Sequence, residues 1–115
     1  MTDNDDEYGR LLEQKRFLGE IEQGTRLANR EIIRKRIPHL GKETILDFAV
    51  AVGRLRAAYL EAALALGVDE SGTPPDGKVI AELRAKREMY EEARMGFEAL
   101  TAGIERGYIE IGEME

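Results

Sequence analysis

Residues 42–66 read KETILDFAVAVGRLRAAYLEAALAL, which is the clearest repeat in the chain. Apolar residues recur there every seven positions in two interleaved rows, namely Ile45, Val52, Tyr59 and Leu66, and Phe48, Leu55 and Ala62. This spacing places both rows on one face of an α-helix. A second apolar face runs beside them through Leu46, Ala49, Gly53, Leu60 and Leu64. A helix that is apolar over most of its circumference is typical of an element packed between neighbours, so we expect this helix to be central.

The segments on either side of this helix show the same seven-residue spacing. In residues 8–36 the row is Leu11, Leu18, Thr25 and Ile32, with Ile21 and Ala28 offset by three positions. In residues 76–106 the rows are Leu83, Tyr90, Phe97 and Ile104, and Val79, Ala93 and Leu100. Each pattern predicts a long helix with one apolar stripe. The fold class expected is therefore all-α, an antiparallel three-helix bundle with long helices.

Proline and glycine mark the ends of these helices. Pro38 cannot donate a helix hydrogen bond and restricts Ile37, so the first helix should end near Arg36. Residues 67–75 are rich in Gly, Pro, Ser and Asp and predict a loop. Gly107 is expected to stop the third helix. In this single domain of 115 residues, residues 1–7 are expected to be a disordered acidic leader, and residues 107–115 a tail that is either docked or frayed.

The composition predicts association with other chains. Hydrophobic residues make up 43% of the sequence, but aromatic residues only 6%, and there is no tryptophan. Such a chain has few large apolar side chains with which to build a core. Small domains also bury a smaller fraction of their surface than large ones. We therefore expect a homo-oligomer, in which three-helix units form a larger helical assembly.

Charge and cysteine content restrict the environment and the partners. The net charge of −6 disfavours binding to nucleic acid or to anionic lipid. The most apolar stretch, residues 48–66, contains Arg54, Arg56 and Glu61, which are costly inside a bilayer, so it is expected to be a core helix. The acidic N-terminus does not resemble an export signal, and the absence of cysteine fits a reducing compartment. A cytoplasmic location is expected.

Three arginines form a candidate partner-binding surface in the otherwise acidic chain. Arg26, Arg30 and Arg34 are four residues apart, so they follow one face of the first helix and could bind carboxylates of a protein partner. The alternative is that the row is solvated, or that it pairs with acids of the third helix. Those acids are Glu82, Glu88, Glu91, Glu92 and Glu98.

A second candidate lies within the central helix. Ala49 and Gly53, followed by Leu55, Tyr59 and Leu60, resemble the core of a helix-turn-helix, and this resemblance implies a DNA-binding transcriptional regulator with Arg54 and Arg56 near the DNA. The resemblance covers about twenty residues. The seven-residue rows pass Gly53 without a change of phase, which favours a continuous helix. The backbone conformation at Gly53 distinguishes the two hypotheses, because a helix-turn-helix needs a turn there and a continuous helix does not.

No combination of residues predicts catalysis, a metal site or a cofactor. His39 is the only histidine, and no spacing supplies it with a second ligand or an orienting acid. Residues 72–78 match the glycine and lysine spacing of a phosphate-binding loop, but Val79 replaces the required Ser or Thr, and Pro74 and Pro75 lack N–H groups. The leading interpretation is a non-catalytic helical protein-interaction module that acts as an adaptor, regulator or assembly component.

Overall fold

A computed structural model describes residues 3–67 and 72–112, and this part of the chain contains three long helices. Helix α1 spans Asp3–Arg36, α2 spans Lys42–Ala65 and α3 spans Gly77–Glu105. The all-α class and the three-helix organisation are therefore confirmed. The bounds of α2 and α3 lie within one residue of the ranges expected from the sequence, 42–66 and 76–106.

The start of α1 differs from the expectation. The acidic leader, residues 1–7, was expected to be disordered, but residues 3–7 belong to the helix, and Met1 and Thr2 lie outside the described residues. The physical reason is electrostatic: the first turn of a helix carries a partial positive charge, so acidic side chains favour helix there. Residues 3–7 contain three aspartates and a glutamate. A run of acids at this position of the sequence therefore does not by itself predict disorder.

Helices α2 and α3 pack against each other. Their aromatic pairs establish the direction, because Phe48 lies beside Phe97 and Tyr59, further along α2, lies beside the earlier residue Tyr90. The pair is therefore antiparallel. Val52 is buried, and the other members of the two α2 rows are half-buried. The rows that predicted the inner face of α2 are thus confirmed.

Both ends of α3 are capped by local hydrogen bonds. At the start, Asp76 Oδ1 accepts a bond from the Lys78 backbone N–H at 3.2 Å. At the other end Gly107 has a φ of 77°, the Gly107 N–H donates to the Ile104 oxygen at 3.0 Å, and the Tyr108 N–H donates to the Gly103 oxygen at 2.8 Å. These two bonds form a Schellman motif, which needs glycine at the left-handed position. The motif stops α3 and turns the chain back.

The segment after Gly107 is docked onto the molecule as far as Gly112. Ile109 is buried, and Ile111 forms an isolated parallel bridge with Leu40, which is also buried. The Gly112 N–H donates to the Leu40 oxygen at 2.9 Å. We call residues 108–112 the tail segment. It attaches the turn between α1 and α2 to the end of α3.

Helix α1 makes no helix–helix packing with α2 or α3 in the described part of the chain. The molecule is consequently elongated, with extents of 82 × 45 × 20 Å and a Cα radius of gyration of 23.9 Å. A compact domain of this length has a radius of gyration of about 13 Å. The solvent-accessible surface is 9678 Å², whereas a compact monomer of 12.9 kDa exposes about 6,300 Å². One chain by itself therefore leaves roughly 3,400 Å² more surface in water than a compact fold would.

Replacing Gly107 with alanine is expected to lower the free energy of unfolding by about 1 to 2 kcal/mol, because a Cβ is unfavourable at positive φ. Gly19→Ala is the matched control, since Gly19 lies inside α1 and no heavy atom lies within 4 Å of a Cβ there. Alanine at a helical glycine should stabilise by about 0.5 to 1 kcal/mol. Urea denaturation of both variants measures the difference, and a Gly107→Ala protein as stable as the parent would contradict the role of the motif.

Candidate interaction surfaces

The apolar stripe of α1 is exposed along its whole length. We define the α1 stripe as the residues of the seven-residue pattern, Leu11, Leu18, Ile21, Thr25, Ala28 and Ile32. Four of them are large side chains, with exposed fractions of 58% for Leu11, 64% for Leu18, 53% for Ile21 and 56% for Ile32. The sequence pattern identified the apolar face of α1, and all of these residues are exposed in the described chain. Thr25 lines an open groove together with Arg106 and Tyr108.

Helix α2 carries a second exposed stripe. We define the α2 outer stripe as Leu46, Val50, Gly53, Ala57, Leu60 and Leu64, which follow one another at alternating spacings of four and three. This is the spacing of a helical seam. All six are exposed, and the centre of the stripe lies about 120° around α2 from the buried Val52. Gly53, at the edge of the stripe, also lines an open groove with Val52 and with Phe97 of α3. Val50 and Ala57 belong to this second face, but they are not among the residues that the sequence pattern predicted for it.

The inner face of α2 is occupied by contacts with α3. The Phe48 and Phe97 rings meet edge to face, with centroids 5.4 Å apart, and Tyr59 and Tyr90 stack at 6.1 Å. The Arg56 Nε donates to the Tyr90 hydroxyl at 3.1 Å, and the guanidinium lies 5.3 Å from the centre of the same ring. Aromatic pairs with this geometry add to the stability from burial alone. Arg56 therefore acts within the α2–α3 pair.

The backbone at Gly53 is helical. Helix α2 is continuous from Lys42 to Ala65, and Gly53 has neither a positive φ nor a neighbouring heavy atom within 4 Å of a Cβ. A helix-turn-helix needs a turn between its two helices, and none is present at this position. Of the two arginines considered for DNA contact, Arg54 and Arg56, both are exposed, and Arg56 also donates a hydrogen bond to the Tyr90 hydroxyl.

The three arginines of the candidate row have different surroundings. Arg26 pairs with Glu22 of the same helix at 3.6 Å, and Arg34 pairs with Glu110 of the tail segment at 3.3 Å. Arg30 makes no ion pair within residues 3–67 and 72–112. No acid of α3 pairs with the row, and Glu98 instead pairs with Arg94 of its own helix at 2.7 Å. Arg30 is thus the member of the row that is open to a partner.

The other candidate sites have local structural roles. In residues 72–78, Asp76 caps α3 and occupies the Lys78 backbone N–H that a phosphate loop would direct at its ligand. His39 lines an open groove with Glu110, Ile111 and Gly112. Among the described residues, no group of three or more His, Asp or Glu side chains is arranged to hold a metal ion.

Within residues 3–67 and 72–112, no helix combines the length and the apolar character required to cross a bilayer. Comparison of the chain with protein-family models, with curated proteins and with solved structures found no match.

Proposed function

We propose that this chain is a non-catalytic helical protein-interaction module, which serves as an adaptor, a regulator or an assembly component. The single observation that carries the proposal is the α1 stripe, which is apolar, regular and uncovered. Its partner is a protein surface with a complementary apolar seam. As part of the same proposal, the module acts in the cytoplasm, needs no cofactor and does not bind nucleic acid as its main activity.

Isolated exposed apolar residues are normal on a protein surface, but a contiguous apolar patch usually marks an interaction site. On α1 such residues recur over about six turns of helix. Most helices in proteins owe their stability to packing of an amphipathic face and not to intrinsic helix propensity. Helix α1 obtains no such packing from α2 or α3. A protein partner along this stripe would supply the missing stabilisation.

Sedimentation velocity over a range of micromolar concentrations, together with titration of a fluorescent DNA duplex, tests the proposal. We expect a particle heavier than 12.9 kDa, or a stoichiometric complex with a purified protein partner, and no DNA binding at 150 mM salt. A particle of 12.9 kDa at every concentration, accompanied by salt-dependent binding of the duplex, would instead favour a DNA-binding regulator.

The arginine row is part of the proposed surface, and its members are expected to respond differently to charge reversal. Arg30→Glu should slow association with an acidic partner and weaken the salt dependence of the rate, because Arg30 has no partner within the described chain. Arg34→Glu should lower the free energy of unfolding by less than about 1 kcal/mol, because its pair with Glu110 is partly exposed.

Lys86→Glu, which makes the same charge change on the exposed surface of α3, is the control for net charge. Stopped-flow association rates at two salt concentrations and melting temperatures measure both effects. If Arg30→Glu changes the association rate no more than Lys86→Glu does, the row is ordinary solvated charge.

A further inference from the structure

We infer that the occupant of the α2 outer stripe is α1 of a second copy of this chain, and that the exchange is reciprocal. Each α2 would then lie between its own α3 and the partner's α1. This inference rests on the proposed function and specifies the partner for it. Three features of the described residues support it, namely the match of the two stripes, the contacts of the tail segment and the exposed surface area.

The two uncovered stripes match in pattern and in length. The α1 stripe extends over residues 11–32, about 32 Å of helix, and the α2 outer stripe over residues 46–64, about 27 Å. Both repeat with the spacing of about 3.5 residues that allows two helices to pack side chains into each other's gaps. Gly53 and Ala57 near the middle of the α2 outer stripe are small, which permits close approach of the larger side chains of α1.

Charge does not oppose this pairing. Residues 11–32, which carry the α1 stripe, contain four bases and four acids, and α2 and α3 together contain eight bases and nine acids. Neither region has a large net charge, so no long-range repulsion keeps the two stripes apart.

The tail segment holds α1 away from α2 of the same chain. The connection between the two helices is only five residues long, and its Leu40 is held by the bridge to Ile111 and by the bond from the Gly112 N–H. The Arg34–Glu110 pair attaches the last turn of α1 to the same segment. If α1 packed against α2 of the same chain, these contacts would have to break or change partners. Association with a second copy leaves them intact.

The surface area fits a reciprocal dimer. One chain exposes 9678 Å², roughly 3,400 Å² above a compact monomer of its mass. A standard protein–protein interface buries about 800 Å² on each partner, and obligate dimers bury about 1,000 to 2,500 Å² on each. Reciprocal exchange of α1 creates two equivalent contacts related by twofold symmetry, which removes exposed surface on this scale.

Cross-linking provides a direct test, because the natural chain contains no cysteine. Ile21 and Ala57 lie near the midpoints of the two stripes, so they approach each other whether the helices run parallel or antiparallel. Ile21→Cys and Ala57→Cys chains with different affinity tags are co-expressed, purified through both tags and treated with a short bismaleimide. We expect a covalent product of twice 12.9 kDa that contains both tags.

Leu27→Cys replaces Ile21→Cys in the matched control, because Leu27 is also exposed but lies off the stripe. It should give at most one tenth of that product. Three results would overturn the inference: a product between two Ile21→Cys chains as the main species, an intrachain product in the Ile21→Cys/Ala57→Cys double variant, or equal yields from Leu27→Cys and Ile21→Cys.

Sedimentation of the parent protein distinguishes failure of this arrangement from failure of the proposed function. An associated particle that lacks the Ile21–Ala57 product overturns the reciprocal exchange, but leaves an interaction module with another geometry. A 12.9 kDa particle at all concentrations overturns the self-association, and the proposed function also fails if such a particle binds no protein.

Discussion

Leu18→Glu is expected to convert the associated protein into a 12.9 kDa monomer. Leu18 lies in the α1 stripe and is 64% exposed, and covering this exposed fraction with an apolar partner stabilises the complex by about 1 to 2 kcal/mol. In a reciprocal dimer the loss occurs twice, so the dissociation constant should rise by roughly thirtyfold to several hundredfold from this loss alone. A buried unpaired carboxylate adds a further penalty. Light scattering across micromolar concentrations measures the change.

The matched control is Leu27→Glu. It makes the same substitution in the same helix at a residue of similar exposure, 55% against 64% for Leu18. Nine residues separate the two positions, which is about two and a half turns, so their side chains lie on opposite sides of α1. Leu27→Glu should therefore remain associated. Equal dissociation of both variants would show that helix stability or net charge, and not the stripe, controls assembly.

Phe97→Ala is expected to lower the free energy of unfolding by about 2 to 3 kcal/mol. The Phe97 ring meets Phe48 edge to face at 5.4 Å, and truncation removes this pair and leaves a cavity between α2 and α3. Phe97 is half-buried, so the effect should lie below the cost of about 3 to 5 kcal/mol that is usual for a fully buried phenylalanine. Urea denaturation followed by circular dichroism measures it.

Met95→Ala is the comparison for this second prediction. Met95 lies two residues away in α3 and is 56% exposed, so its truncation should cost less than about 0.5 kcal/mol. If the two variants lose similar stability, the contact face assigned to α3 is wrong. Both variants should be measured at one protein concentration, because association contributes to apparent stability.

The two faces of α2 have different surroundings. The inner face is covered by α3 through Phe48, Val52 and Tyr59, whereas the outer stripe and the α1 stripe are exposed in the part of the chain that the structure describes. In the proposed assembly, the α2–α3 pair and the contact with a partner therefore use separate surfaces. A substitution on the inner face should lower the stability of the α2–α3 pair, and a substitution in a stripe should weaken association. The comparisons of Phe97→Ala with Met95→Ala and of Leu18→Glu with Leu27→Glu depend on this separation.

Local sequence was enough to predict the helices and their apolar faces. The rows through Val52 and Phe97 identified the faces that α2 and α3 present to each other, because a seven-residue spacing places side chains on one side of a helix in any environment. Pro38 and Gly107 predicted the ends of α1 and α3. Both predictions depend only on the residue itself, because proline lacks an N–H and glycine readily adopts a positive φ. The arginine row was found in the same way, from a spacing of four residues.

Tertiary structure alone decided which apolar faces are covered. The α1 stripe and the inner rows of α2 have the same pattern, yet the first is exposed and the second is packed, since periodicity identifies a face and not its neighbour. The position of α1 depends on contacts between residues far apart in the chain, Leu40 with Ile111 and Arg34 with Glu110. No local rule relates these residues, because their pairing arises only when α3 and its Schellman turn carry the tail segment back to the α1–α2 turn.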